Sequence, residues 1–172
     1  SASCGQCKTL GPIIHNGNVV ERLKEKGVFA INSVDEVETG ETVIIRSHGA
    51  LLQDVKALEE KGAIIVDATC PFVTKIHKIV SDASAKNQPV LIAGDEKHSE
   101  VIGIVGHAKG EVYVFSDEES LENLLDNHPD FTEKELCIVS QTTFNREIWK
   151  NCEKILKKRC TNPLVFDTIC NA

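Results

Sequence analysis

The stretch Ala63-Ile64-Ile65-Val66-Asp67-Ala68-Thr69-Cys70-Pro71 decides how the chain folds. It opens as a short apolar β run, and Pro71-Phe72-Val73-Thr74-Lys75-Ile76-His77 then begins a helical pattern. Proline suits the first helical position, where its missing N–H would have no partner anyway. Cys70 therefore stands where a strand hands over to a helix N-terminus. The unpaired N–H groups and the dipole at such an end favour a thiolate, the form that binds a metal or an iron–sulfur cluster. The alternative is a small cysteine that merely packs.

The arrangement recurs along the chain. Thr9-Leu10-Gly11-Pro12-Ile13-Ile14 runs into His15-Asn16, and Thr42-Val43-Ile44-Ile45-Arg46 leads into Ser47-His48-Gly49. Pro89-Val90-Leu91-Ile92-Ala93 leads through Gly94 to His98-Ser99-Glu100, and Cys137-Ile138-Val139-Ser140 leads into Gln141-Thr142-Thr143. In parallel α/β sheets, ligands bind outside the carboxyl ends of the strands. These groups are therefore expected to share one edge, although a His, Glu or Thr taken alone at such a place is more often a solvated loop residue. Between the runs lie amphipathic helical patterns, one with Asn18 as its expected cap and Gly27 as its stop, another stopped by Gly62. Strand and helix alternate throughout, which predicts an α/β fold of two small blocks with mostly parallel sheets flanked by helices. The blocks are expected at about residues 1–70 and 71–166.

Composition agrees. The 172 residues are 41% hydrophobic and 26% charged, the make-up of an ordinary soluble globular protein. A net charge of −7 argues against a nucleic-acid surface. No apolar run approaches a membrane span and no signal peptide is visible, so the expected location is cytoplasmic. The odd count of 7 cysteines does not look like a secreted disulfide scaffold. Cys4 and Cys7 form a C-x-x-C that reads as a surface lead-in to the first strand, with a zinc site or redox switch as alternatives. Cys152 and Cys160 read as packing or surface thiols, and His77 as a partly exposed helix-surface residue.

The segments Leu10-Gly11-Pro12-Ile13-Ile14-His15-Asn16, Ser47-His48-Gly49, Asp67 to His77, His98-Ser99-Glu100-Val101-Ile102-Gly103, Gln141-Thr142-Thr143 and Thr168-Ile169-Cys170 resemble, in order, the LytB family of 4-hydroxy-3-methylbut-2-enyl diphosphate reductases. The resemblance implies an iron–sulfur oxidoreductase of isoprene biosynthesis. Its reaction would be the reductive dehydroxylation of 4-hydroxy-3-methylbut-2-enyl diphosphate to isopentenyl and dimethylallyl diphosphates, the last step of the non-mevalonate pathway. It also implies a 4Fe–4S cluster held by three cysteines, and an electron donor such as ferredoxin or flavodoxin. Carried over by motif, Cys70 and Cys170 would be two metal ligands. His15, His48, His98 and Thr142 would bind the allylic diphosphate, and Glu100 would deliver a proton.

The chain departs from the family pattern in three places. The family's Gly-Phe-Cys unit, with the first cysteine, has no counterpart, and Ser99 stands where the family usually has proline. A third domain would begin near Cys170, so residues 167–172 are expected to be its start. On this reading the chain is part of a reductase, inactive by itself and a poor holder of the cluster, with Cys170 on a mobile end. The alternative is a non-catalytic or ligand-binding module of the same family.

Overall fold

The computed structural model describes residues 6–13 and 17–170. In order, the chain forms β1 (Cys7–Leu10), α1 (Gly17–Glu25), β2 (Val28–Ile31), a 3-10 turn (Val34–Glu36), β3 (Thr42–Ile45), α2 (Leu52–Glu60) and β4 (Ile64–Asp67). It continues with α3 (Pro71–Ala85), β5 (Val90–Ala93), α4 (Ser99–Gly106), β6 (Val112–Phe115), α5 (Glu118–Asn127), a second 3-10 turn (Pro129–Thr132), β7 (Glu135–Ser140), α6 (Arg146–Arg159) and β8 (Asn162–Val165). The chain divides into two compact units, Ser1–Cys70 and Pro71–Ala172.

Each unit carries one 4-stranded sheet, ordered β2-β1-β3-β4 in the first and β6-β5-β7-β8 in the second. All the described pairings are parallel, so the α/β class with parallel sheets holds. Counted within its unit, each sheet has the same order: second, first, third, fourth. The order reverses between the first and third strands. That point, outside their carboxyl ends, is where open α/β sheets bind ligands.

Packing follows from strand alternation. In the second unit, Leu91 and Ala93 of β5 face a core with Leu121, Leu125, Trp149 and Leu156 from α5 and α6. Val90 and Ile92 face the other side, against Ile76, Val80, Val101 and Ile104 from α3 and α4. Both faces of this sheet are thus covered, which explains the unbroken apolar run of β5. In the first unit, Ile31, Val43, Ile45 and Leu58 form the core with Val37.

Four details differ from the sequence reading. β1 spans Cys7–Leu10 rather than continuing to Ile14. Gly11 takes φ +72, which turns the chain out of the sheet, and Pro12 has no N–H to extend a ladder. Asn18 is the second residue of α1 as described (Gly17–Glu25), inside the helix and not at the cap position before it. β8 is an additional strand; Pro163 disguises it in the sequence, and its edge position tolerates a missing donor. Finally, β4, whose apolar run looks like a buried strand, is an edge strand with Ile64 57% and Val66 47% exposed.

Candidate functional site

The site residues of the second unit are set by three short segments at the ends of β5, β7 and β8. After β5 the chain passes Gly94, whose N–H donates to the Phe115 carbonyl at 2.9 Å. A Cβ at position 94 would stand 2.7 Å from Val101 Cγ2 and 3.0 Å from Gln141 Oε1, so only glycine lets α4 and the Gln141 loop approach this closely. His98 then caps α4, its Nδ1 accepting the Glu100 N–H at 3.1 Å. That bond places the proton of a neutral His98 ring on Nε2. Glu100, in the first helical turn, is only 1% exposed. Its Oε1 accepts the Thr142 N–H at 2.6 Å and its Oε2 accepts the Thr142 hydroxyl at 2.7 Å. Among the described residues, no cation forms an ion pair with it.

Thr142 also holds the third segment. Its carbonyl accepts the Cys170 N–H at 2.8 Å. Just upstream, the Thr168 hydroxyl accepts from Ser140 N–H at 2.8 Å and donates to the Ser140 carbonyl at 2.7 Å. Cys170 is therefore bonded to the end of β7, not carried on a loose end.

The first unit repeats this geometry. The Cys70 N–H donates to the Ser47 carbonyl at 3.0 Å, and Ser47 is the second residue past β3 as Thr142 is the second past β7. Upstream of each cysteine an aspartate makes the same local turn: Asp67 Oδ1 accepts Thr69 N–H at 2.8 Å, and Asp167 Oδ1 accepts Ile169 N–H at 3.3 Å. Gly11 and Gly94 also correspond, each donating to the last residue of its neighbouring strand. Cys70 and Cys170 thus occupy equivalent places in two copies of one topology. His48 lies in the turn after β3, closed by Gly49 N–H to Arg46 carbonyl at 2.9 Å. His15 lies outside the described residues, as does Cys4.

The cysteines sort into two kinds. Cys70 and Cys170 are partly exposed, whereas Cys7, Cys137, Cys152 and Cys160 are buried. Burial pushes the Cys137 thiol up to about 11. Burial, with Glu118 and Asp117 nearby, pushes Cys152 up to about 12, and burial also raises Cys160. Such thiols resist becoming thiolates. The two accessible ones, on hydrogen-bonded loops at the sheet edges, fit the role of soft iron ligands. Among the described residues, no three His, Cys, Asp or Glu side chains gather into a metal-binding group.

Two expectations are corrected. Cys7 is no surface lead-in: it opens β1 and is buried. His77 is 8% exposed rather than on the surface, because its ring stacks on His107 with centroids 3.8 Å apart. Sequence reasoning also passed over Thr168 and Arg46. Thr168 had one signal, its place beside Cys170 after an apolar run. Arg46 had none beyond ending a strand.

A family model described as LytB protein matches residues 2–172. A 4-hydroxy-3-methylbut-2-enyl diphosphate reductase of Caldanaerobacter subterraneus subsp. tengcongensis is 42% identical over 166 residues, which cover 95% of this chain and 56% of that protein. One of Clostridioides difficile is 39% identical over 164 residues, covering 95% of this chain and 57% of that protein. The chain thus spans about half the length of these curated relatives. A solved (E)-4-hydroxy-3-methyl-but-2-enyl diphosphate reductase, described as the terminal enzyme of the non-mevalonate pathway, matches with TM-score 0.84 and 36% identity, covering 99% of this chain and 59% of that one. The E-1-hydroxy-2-methyl-but-2-enyl-4-diphosphate reductase of Plasmodium falciparum matches with TM-score 0.84 and 26% identity, covering 98% and 52%.

Proposed function

The chain belongs to the LytB family, and on that premise we propose that it forms the cluster- and substrate-binding part of a 4-hydroxy-3-methylbut-2-enyl diphosphate reductase. The observation that carries the proposal is the chain of contacts from Glu100 through Thr142 to Cys170. It ties a buried carboxyl to a thiol suited to iron.

The overall change takes an allylic alcohol, two electrons and two protons to a hydrocarbon carbon and water. Cys70 and Cys170 would be ligands of a 4Fe–4S cluster. When bound, the cluster supplies electrons and a Lewis-acidic iron. The electrons would come from an external carrier such as ferredoxin or flavodoxin.

Glu100 is the proton donor for the departing hydroxyl. Its site suits a group that must be both charged and neutral. A threonine hydroxyl both donates and accepts, so its bond to Oε2 survives when the carboxyl takes up a proton. With no cation paired to it among the described residues, Glu100 changes charge without breaking an ion pair. His98 and His48, with His15, are proposed to hold the diphosphate through ring N–H donors, and Thr142 to orient both Glu100 and the substrate.

The test is turnover by the intact protein. Reconstituted anaerobically with iron and sulfide and supplied with a low-potential reductant, it is expected to convert the allylic diphosphate to both isopentenyl and dimethylallyl diphosphates. A cluster-loaded protein that forms neither would overturn the proposal.

A further inference from the structure

Gln141, the first residue past β7, is only 6% exposed and has no part in the proposed chemistry. Its side chain reaches the loop that follows β5. Oε1 accepts the Asp95 N–H at 3.2 Å, and Nε2 donates to the Thr143 hydroxyl oxygen at 2.9 Å. An N–H can only meet an oxygen, so the Asp95 bond fixes which way the amide points.

From Asp95 the contacts run on to the residues proposed for the reaction. The Asp95 carbonyl accepts the His98 N–H at 2.9 Å, closing the turn that ends at the cap of α4. His98 Nδ1 accepts the Glu100 N–H, and Glu100 accepts both donors of Thr142. Thr142 is the next residue after Gln141, so the bonds form a ring across the ends of β5 and β7. The bond from Asp95 to Gln141 Oε1 is the link that closes it.

The first unit makes the same reach. Arg46 is the first residue past β3, and its Nη1 donates to the Pro12 carbonyl at 3.3 Å. Pro12 follows Gly11 as Asp95 follows Gly94. A Cβ at Gly11 would stand 3.0 Å from Nη1, and one at Gly94 would stand 3.0 Å from Oε1. Two side chains of unlike chemistry thus cross a glycine to hold the residue after it, one donating and one accepting. Incidental packing would not repeat that geometry.

We infer that Gln141 is a positioning residue: its amide sets the Asp95–His98 turn and, through it, the places of His98 and Glu100. The effect on turnover rests on the proposed function; the hold on the turn rests on the hydrogen bonds alone.

The experiment compares the intact wild type with Gln141→Met and Gln141→Glu. Methionine keeps the length but offers the Asp95 N–H only a weak acceptor, whereas glutamate keeps an oxygen there. Hydrogen exchange, mapped by mass spectrometry, is expected to quicken about tenfold or more at residues 95–100 in Gln141→Met and less in Gln141→Glu. Exchange in α5 should stay unchanged in both. Unchanged exchange at residues 95–100 in Gln141→Met, or equal acceleration there and in α5, would overturn the positioning role. In cluster-loaded protein, kcat for the allylic diphosphate should fall about tenfold or more in Gln141→Met, with a smaller change in KM. The fall should shrink when Glu100→Gln is already present, because the two changes act on one group. A fall equally large in both backgrounds, or normal turnover by Gln141→Met, would overturn the positioning role and leave the reductase reading standing. Faster exchange at residues 95–100 in Gln141→Met, with no turnover by cluster-loaded wild type, would do the reverse.

Discussion

Glu100 and Thr142, 42 residues apart in sequence, are joined twice across the ends of β5 and β7. The Thr142 N–H donates to one carboxyl oxygen at 2.6 Å and its hydroxyl to the other at 2.7 Å. Both oxygens are thus committed to one residue, and the carbonyl of that residue holds Cys170. Any change that loosens Glu100 reaches the loop of the proposed metal ligand through a single residue, Thr142.

Thr142→Val tests this link. Valine keeps the shape and the main-chain bond but removes the hydroxyl, leaving Oε2 buried without its donor. The expected loss is about 1–3 kcal/mol of stability in chemical denaturation, with lower turnover. Thr142→Ser should recover most of both. Wild-type stability in Thr142→Val would show that the hydroxyl bond contributes nothing.

Glu100→Gln separates the proton from the shape. The amide can accept from Thr142 N–H and donate to the Thr142 hydroxyl oxygen, so the fold, the cluster and substrate affinity should persist. Turnover should fall roughly 10²–10⁴-fold, the usual contribution of a positioned general acid. Near-normal turnover in this variant would take Glu100 out of the proton path.

Stability should also depend on pH at the alkaline end. Burial holds the folded Cys137 and Cys152 thiols up to about 11 and about 12, against an ordinary value of 9.0. Above that ordinary value the unfolded chain loses these protons while the folded chain keeps them. The stabilisation is therefore complete below about pH 9 and is lost as pH rises towards the folded values. Denaturation midpoints measured from pH 7 to 10.5 should fall beyond about pH 9. Cys152→Ala should flatten part of that fall, and an unchanged slope would mean that Cys152 does not contribute to it.

Much of the fold was legible because its strands are β-branched runs bounded by turn residues. Val28–Ile31 and Val90–Ala93 need no tertiary information to be found. β8 escaped because Asn162 and Pro163 break that signature, and only a sheet edge makes them acceptable. His77 looked solvated because its helix exposes Thr74, Lys75 and Lys78, and the ring that covers it comes from His107, just past the end of α4. In the candidate site, strand-end position singled out Glu100 and Thr142 one at a time. Their double bond, the clasp of Thr168 on Ser140 and the hold of Gln141 on Asp95 depend on contacts between residues far apart in sequence, which no local pattern encodes.

The central claim is that Cys70 and Cys170 hold an iron–sulfur cluster. It is tested most directly by iron and sulfide content, with the visible absorbance and Mössbauer spectrum, of intact protein isolated anaerobically as wild type, Cys70→Ala, Cys170→Ala and Cys160→Ala. Circular dichroism confirms in each case that the variant is folded. The account predicts a four-iron spectrum in the wild type and in Cys160→Ala, and its loss or conversion to a smaller cluster in Cys70→Ala and Cys170→Ala. A full and spectrally unchanged cluster in folded Cys70→Ala and Cys170→Ala would contradict it.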